Sequence, residues 1–455
     1  CGTIATTFIW ADRAIMCWSG SALGVECGAF RRDPRAAMMM HTLQMVLHPE
    51  RGEDWPETVD RVRSALGAPH NRSLFPPHFL KSTFPSISGR LLEIRHRDAV
   101  AAAAFFFPRD TIGGGRVWTV RFHRAPGFAS LTADDVQQCA AEVLGDEGLV
   151  MYDPDAPHTF TRTGRPVGAI EIGHPDAGEA TVIPELQREI WGSESDYLYP
   201  ADIHADAFRL GTSLVARDAD AAVGFLFGFA KFGGSTLPDG WADRFRTDLR
   251  LESQMVGVLP SHRRHGMAYL LKREQAEQAR AAGIDLVNWT VDPLQYRNAL
   301  LNFGRLRAVA FDFFPDYYAF RNRLNQVASS RFGITWLVGS PVVRRALASE
   351  RPTVDVAHVG EAGDIQRVND GYEHVRFDAD GATIAIEIPI DWTALQETDL
   401  DAALPLAAGR VVQTIFLGGG TPSLFPPESY ARLFAGPRER LGLAPDAGTT
   451  PEANP

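Results

Sequence analysis

Cysteine is scarce in this chain: four residues, Cys1, Cys17, Cys27 and Cys139, in a length of 455. Their spacing fits no zinc or iron–sulfur pattern, and so few in so long a chain make no disulfide framework. No metal is therefore expected, and a reducing, cytoplasmic setting is. Long apolar runs are missing too. The longest, Ala99 to Phe107, falls far short of the roughly 20 residues that a membrane-spanning helix needs. No charged segment followed by an apolar one opens the chain, so no signal peptide and no membrane partner are expected. Basic residues do not dominate: Lys and Arg total 45 against 56 Asp and Glu, a formal charge of −11. A nucleic-acid surface needs the opposite balance. One small basic pocket for an anionic ligand is still compatible with it.

What is present is ordinary for a globular protein: 45% apolar and 22% charged residues, in a length that allows two or three domains. Residues 1–85 carry weak signals and stay unassigned, with helices expected at Ala37 to Leu47 and Glu57 to Leu66. The chain opens at Cys1 rather than Met. An N-terminal cysteine can be the nucleophile of a self-processed amidohydrolase, but a fragment or a displaced gene start is the preferred reading. Residues 86–165 read as a small α/β region. Strands are expected at Leu91 to Arg95, Ala99 to Phe107, Val117 to Phe122 and Gly148 to Tyr152, with a helix from Thr132 to Leu144. Gly113-Gly114-Gly115 precedes a strand, so it reads as a turn and not as a phosphate loop.

The pattern sharpens from residue 166 to residue 335. A helix is expected over Ala180 to Trp191, a hairpin over Thr212 to Phe229, and a loop over Lys231 to Trp241. A strand follows at Leu249 to Val258, then a long helix from Arg263 to Ala282, a strand from Ile284 to Thr290 and a short helix from Asn298 to Leu306. Between the first of these strands and the long helix runs Leu259-Pro260-Ser261-His262-Arg263-Arg264-His265-Gly266-Met267-Ala268. Physically this is an anion-binding turn. Free backbone N–H groups and the positive end of the helix dipole face a ligand there. Gly266 and Ala268 keep side-chain bulk away, and Arg263 and Arg264 add charge suited to phosphate.

At this turn the chain resembles the GNAT acyltransferase superfamily, whose motif is Gln/Arg-x-x-Gly-x-Gly/Ala. Arg263, Gly266 and Ala268 match in register, and Val258-x-Pro260 matches the end of the family's fourth strand. The series long helix, strand and Arg297-Asn298-Ala299 agrees with the family's order. The resemblance covers about residues 167–328. It implies an α/β (α+β) fold, a mixed and mainly antiparallel sheet flanked by helices, here with an additional N-terminal α/β region that is possible to read as a degenerate copy. It implies acetyl-CoA as cosubstrate, with its pyrophosphate on Arg263, Arg264, His265, Gly266, Met267 and Ala268. It also implies pantetheine pairing with Met255, Val256, Gly257 and Val258, and Asn298 near the pantetheine. Acyl transfer to a small-molecule or peptide amine follows, with a homodimer left open.

The family's usual acidic tyrosine falls at Phe303, which has no proton to donate, and its helix-ending glycine falls at Arg307. Tyr317, Tyr318 or water would then have to protonate the leaving thiolate. Glu252 is the candidate base. It lies six residues before Val258 and shares its strand face, although a salt-bridged surface residue would look the same. Gln254 shares that face and would orient substrate. His262 and His265 read as solvated or phosphate-facing, and Lys272 as part of a charged helix face. Residues 336–410 form an extension with a strand expected at Thr383 to Pro389. Residues 411–455 differ in kind. Gly418-Gly419-Gly420-Thr421-Pro422-Ser423 and Glu452-Ala453-Asn454-Pro455 resemble the radical SAM enzymes related to oxygen-independent coproporphyrinogen oxidase. Those bind a cluster through Cys-x-x-x-Cys-x-x-Cys, a run this sequence does not contain, so the tail reads as a fused or truncated gene piece. The alternatives to an acyltransferase are a non-catalytic CoA-binding or regulatory module and a radical SAM fragment.

Overall fold

The computed structural model describes residues 43–48, 54–233, 248–263, 266–315, 330–348 and 391–398, with short stretches at 52, 237, 317, 327, 365–367, 383–385 and 388–389. The chain folds into two compact units: Cys1–Phe160 with Glu194–Arg209, and Thr161–Ser193 with Leu210–Pro455.

In the first unit, β1 (Leu43–His48) leads to α1 (Trp55–Ala65), helical turns at Phe79–Thr83 and Phe84–Ser86, then β2 (Arg90–His96), β3 (Ala99–Ile112), β4 (Gly115–Arg124), α2 (Ala133–Leu144) and β5 (Gly148–Tyr152). The sheet order is β1-β2-β3-β4-β5. Every neighbouring pair is antiparallel except β4 and β5. The Ala- and Phe-rich run of β3 is buried on both faces from Ala101 to Phe107, as a central strand covered by helices requires. Gly113 and Gly114 take φ of 60° and 86°, so the glycine run is the β3–β4 turn. Thr132 caps α2, its side chain accepting from the Asp135 N–H while Asp135 reaches back to the cap.

Leu43–His48 is a strand, not the end of a helix as its composition suggested. Pairing with β2 from Leu43↔His96 to His48↔Leu91 overrides local propensity. Residues 37–42 lie outside the described residues.

In the second unit, β6 (Arg165–Val167) and β7 (Ile170–Gly173) precede α3 (Ala177–Trp191). Then come β8 (Thr212–Asp218), β9 (Ala221–Phe232), β10 (Leu249–Val258), α4 (Met267–Ala281) and β11 (Leu286–Val291). Beyond them are α5 (Tyr296–Ala299) running into a π-helical turn (Leu300–Arg305), β12 (Val309–Phe314), β13 (Arg331–Leu337) and α6 (Pro341–Ala348). The sheet order is β12-β13-β11-β10-β9-β8-β7-β6, and β10–β11 is its parallel pair. This is the mixed, mainly antiparallel sheet flanked by helices that the resemblance implied. Met267 and Leu271 of α4 pack on Leu214, Ala216, Val223 and Leu226, which fixes the helix against the sheet. Further along, β14 (Ile365–Arg367) pairs in parallel with β15 (Thr383–Ala385), and α7 spans Trp392–Thr398. Thr383–Ala385 thus supplies part of the late strand expected there. β9 continues through Lys231 and Phe232, where a loop was expected, because Lys231 pairs opposite Arg250.

The two units repeat one connectivity: strand, helix, three antiparallel strands, helix, parallel strand. Both units fully bury ion-paired charges, Glu93 and Arg121 in the first and Arg217 in the second. In the first unit Glu93 on β2 is fully buried between His48 of β1, Arg61 of α1 and Arg95, at 2.8, 2.6 and 2.8 Å. In the second Arg217 on β8 is fully buried between Glu171 of β7 and Glu179 of α3, at 3.2 and 2.7 Å. Burial alone would push the Glu93 carboxyl up, but hydrogen bonds from His48, Arg61 and Arg95 hold it well below the usual range.

Candidate active site

The site is built where β10 leaves β11. The two parallel strands pair at Leu251↔Val287 and Glu252↔Asn288. From Ser253 onward β10 runs to Val258 with only β9 beside it, so a fork opens whose one arm is Ser253–Val258. A bulge marks the same point: Glu252 pairs with Phe229 and Met255 with Phe227, so Ser253 and Gln254 together oppose Gly228. A side chain on Gly228 would run into the Glu252 carbonyl and the Ser253 backbone, so only glycine fits there. Alternate backbone groups along Met255, Val256, Gly257 and Val258 face the fork, where β11 offers them no ladder.

At the far end of this arm the chain makes a 3₁₀ turn, Pro260–His262, and enters α4. The helix was expected to start at Arg263. It starts at Met267, because Gly266 takes the left-handed conformation at φ +73° and serves as N-cap without a side-chain cap. No acidic residue stands in the first turn, so the first N–H groups of α4, around Met267 and Ala268, remain available to an anion. Arg263 is exposed and turns its Nε back to the Val258 carbonyl at 3.2 Å. Arg264 and His265 lie outside the described residues. His262 is engaged by Asp218 at 3.2 Å and by Ser261 at 2.8 Å.

A cation that the sequence reading passed over stands here. The Arg305 guanidinium lies over the Tyr269 ring at 5.1 Å, and a Cβ placed on Gly266 would come 3.7 Å from its Nη1. It is supplied by the π-helical turn, which lies almost 40 residues downstream of the turn it approaches, so no local pattern links the two. Asn298 is exposed on α5, its N–H donating to the Gln295 carbonyl at 2.9 Å. Phe303 lies half-buried in the π-helical turn. Arg307, where a glycine was anticipated, keeps the glycine-like left-handed turn at φ 56°. Tyr317 lies against Phe314 at 5.5 Å, and Tyr318 is outside the described residues.

At the vertex, Lys231 Nζ donates to Glu252 Oε2 at 2.9 Å, and both side chains are nearly buried. Lys272 is buried on α4, not part of a solvated face. Its place one turn before Ala276, itself fully buried, is the spacing that could have revealed this. Burial lowers its pKa to about 7, against a smaller opposing effect of Glu252. Among the described residues no group of three or more His, Cys, Asp or Glu could hold a metal, and no helix is long and apolar enough to cross a membrane.

No protein-family model matches the chain. A C-terminal stretch of 57 residues is 54% identical to heme chaperone HemW of Escherichia coli (strain K12), covering 12% of this chain and 15% of that protein. HemW of Mycobacterium tuberculosis is 39% identical over 67 residues, 15% of this chain and 17% of that one. The chain thus spans less than a fifth of these relatives' length, and its matching tail carries the GGGTPS segment outside the described residues. Among solved structures it is similar to diaminobutyrate acetyltransferase EctA from Paenibacillus lautus, which was solved with L-2,4-diaminobutyric acid and coenzyme A. That similarity has 19% identity, 37% of this chain, 95% of that one and TM-score 0.28. It is also similar to an acetyltransferase of the GNAT family from Streptococcus pneumoniae (13%, 36% and 97%, TM-score 0.28).

Proposed function

We propose that the second unit is an N-acyltransferase that moves an acetyl group from acetyl-CoA to an amine. The observation that carries this reading is the fork that opens at Ser253 and ends on an uncapped helix. Its free amide edge suits the amides of a pantetheine arm, which would add as a partial strand. The α4 N-terminus, opened by Gly266, suits the pyrophosphate, with Arg263 and Arg305 as nearby cations. The motif residues Arg263, Gly266, Met267 and Ala268 support the same assignment, as do Met255 to Val258. Asn298 is assigned to the pantetheine and Arg264 and His265 to the phosphates on the resemblance alone.

In the reaction the amine lone pair attacks the thioester carbonyl, the C–N bond forms, and the C–S bond breaks to release a thiolate. A backbone N–H of Val256 to Val258 would stabilise the developing oxyanion. Glu252 is proposed as base, directly or through water, and Lys231 fixes where its carboxylate stands. Phe303 leaves the thiolate to another donor, Tyr317 or water.

Calorimetric titration with acetyl-CoA tests the site. Binding at about micromolar Kd is expected for the wild type and none for Gly266→Glu, because a carboxylate would occupy the anion position at a backbone conformation that disfavours any side chain. A folded wild type that binds no acetyl-CoA would end this reading. Glu252→Gln is expected to lower turnover by about 100-fold or more while acetyl-CoA affinity stays nearly unchanged. Equal turnover in the two proteins would remove Glu252 as the base. The pairing of Glu252 with Lys231 and the absence of a donor at Phe303 favour one second reading, a CoA-binding module without turnover. Binding with no acetylated product across an amine panel would identify it.

A further inference from the structure

Lys272 occupies the point where the fork begins. Its Nζ donates to Ser253 Oγ at 2.8 Å and to Gln275 Oε1 at 3.3 Å, and it sits 3.6 Å above the Trp289 ring. Ser253 is the first residue of β10 past its last pair with β11, and Trp289 is the first of β11 past the same pair. One amine on α4 therefore touches both arms at the vertex. Ser253 is also half of the bulge opposite Gly228. The Lys272 side chain is almost wholly buried, as are Ser253 and Gln275. Placing an amine there has a cost that an apolar side chain of the same length would avoid, so packing alone does not explain it.

We propose that Lys272 is a positioning residue that holds the bulged run Ser253–Val258 at the splay which keeps its amide edge open to a ligand. The ligand is named acetyl-CoA only on the acyltransferase reading; the mechanical role does not depend on it. Burial disfavours the cation, so opening the run to water favours the protonated amine, and the hold is tightest when the amine is neutral. The groups that act on the amine are Ser253 and Glu252 from β10, Glu252 itself paired with Lys231 of β9, Gln275 from α4, and Trp289 from β11. Glu252 favours the cation, against the larger effect of burial. Burial brings the change of charge close to neutrality.

The test uses the full chain with Lys272→Met, which keeps the stem, and Ser253→Ala, which removes only the acceptor. Hydrogen–deuterium exchange is followed in peptides covering Ser253–Val258, with β9 as internal reference. Both variants are expected to exchange about tenfold faster in Ser253–Val258 only, as loss of one buried hydrogen bond implies. In the wild type, exchange corrected for intrinsic rates should be faster at about pH 6 than at about pH 8, where the buried amine is mostly neutral, and Lys272→Met should show no such difference. Acetyl-CoA affinity should fall about tenfold in Lys272→Met. Exchange in this run within about twofold of wild type in both variants, with no pH contrast lost, would overturn the proposal. A wild type that fails to bind acetyl-CoA removes the acyltransferase reading, and the exchange result alone then decides the role of Lys272.

Discussion

Single residues in this fork carry costs that can be measured. Lys272 has a pKa near 7 in the folded chain, because burial disfavours its cation; an unfolded lysine titrates near ~10.4. Between those values the unfolded state holds the proton and the folded state does not, so the group makes stability rise with pH. Below about pH 7 both states are protonated and the full penalty is felt, on the order of 4 kcal/mol. Lys272→Met should therefore gain stability relative to wild type most at neutral pH and below. The advantage should shrink as pH rises toward about 10. Urea unfolding of both proteins at two pH values measures that difference, and a gap independent of pH would contradict it. The buried amine escaped a reading of the sequence because a lysine inside a charged-looking helix segment, Lys272-Arg273-Glu274, looks solvated until a sheet is packed on it.

Elements were the most legible level. Strands β2 to β5 and β8 to β11 lie where alternation and apolar runs placed them, because their pattern is set by burial on one or both faces. Capping residues marked the start of α2 well, since Thr132 and Asp135 act within four residues. The failures were ends and short pieces: β1, decided by its partner strand, and the start of α4, decided by the left-handed Gly266. The end of the π-helical turn offers a test at this scale. Arg307 sits at φ 56°, where a side chain is strained, and Ala308 N–H closes the helix on the Asn302 carbonyl at 2.9 Å. Arg307→Gly should stabilise the fold by about 0.5–1 kcal/mol, which thermal melting would register as a rise of about 1–4 °C. A lower melting temperature would mean that the Arg307 side chain contributes more than its backbone loses.

The whole molecule contains the same connectivity twice, with different consequences. In the first unit β4 and β5 pair at five positions, from Val117↔Gly148 to Arg121↔Tyr152, against two for β10 and β11. The helix after β4 is closed by the Thr132–Asp135 box, with Asp134 and Asp135 in its first turn, so its N-terminus is already satisfied and repels anions. The short fork and the closed cap leave no counterpart of the site around Gly266. Acetyl-CoA should therefore saturate at one equivalent per chain, and Gly266→Glu should abolish all of it. Two equivalents in a titration, one surviving Gly266→Glu, would show that the first unit binds too.

The amino-acid sequence by itself determined the strand and helix series, the turn from Leu259 to Ala268 and the glycine in that turn. Each of these depends on interactions within a few residues or on a periodic burial pattern. It also carried the likeness of the C-terminal tail to HemW, which is a matter of residue identity alone. Only tertiary structure decided that β10 parts from β11 at Ser253, that Glu252 meets Lys231, that Arg305 stands by Gly266, and that the Lys272 amine reaches Ser253 and the Trp289 ring. These contacts join residues about 20 to 40 positions apart. Strand register and helix packing set such contacts, and no local pattern encodes them.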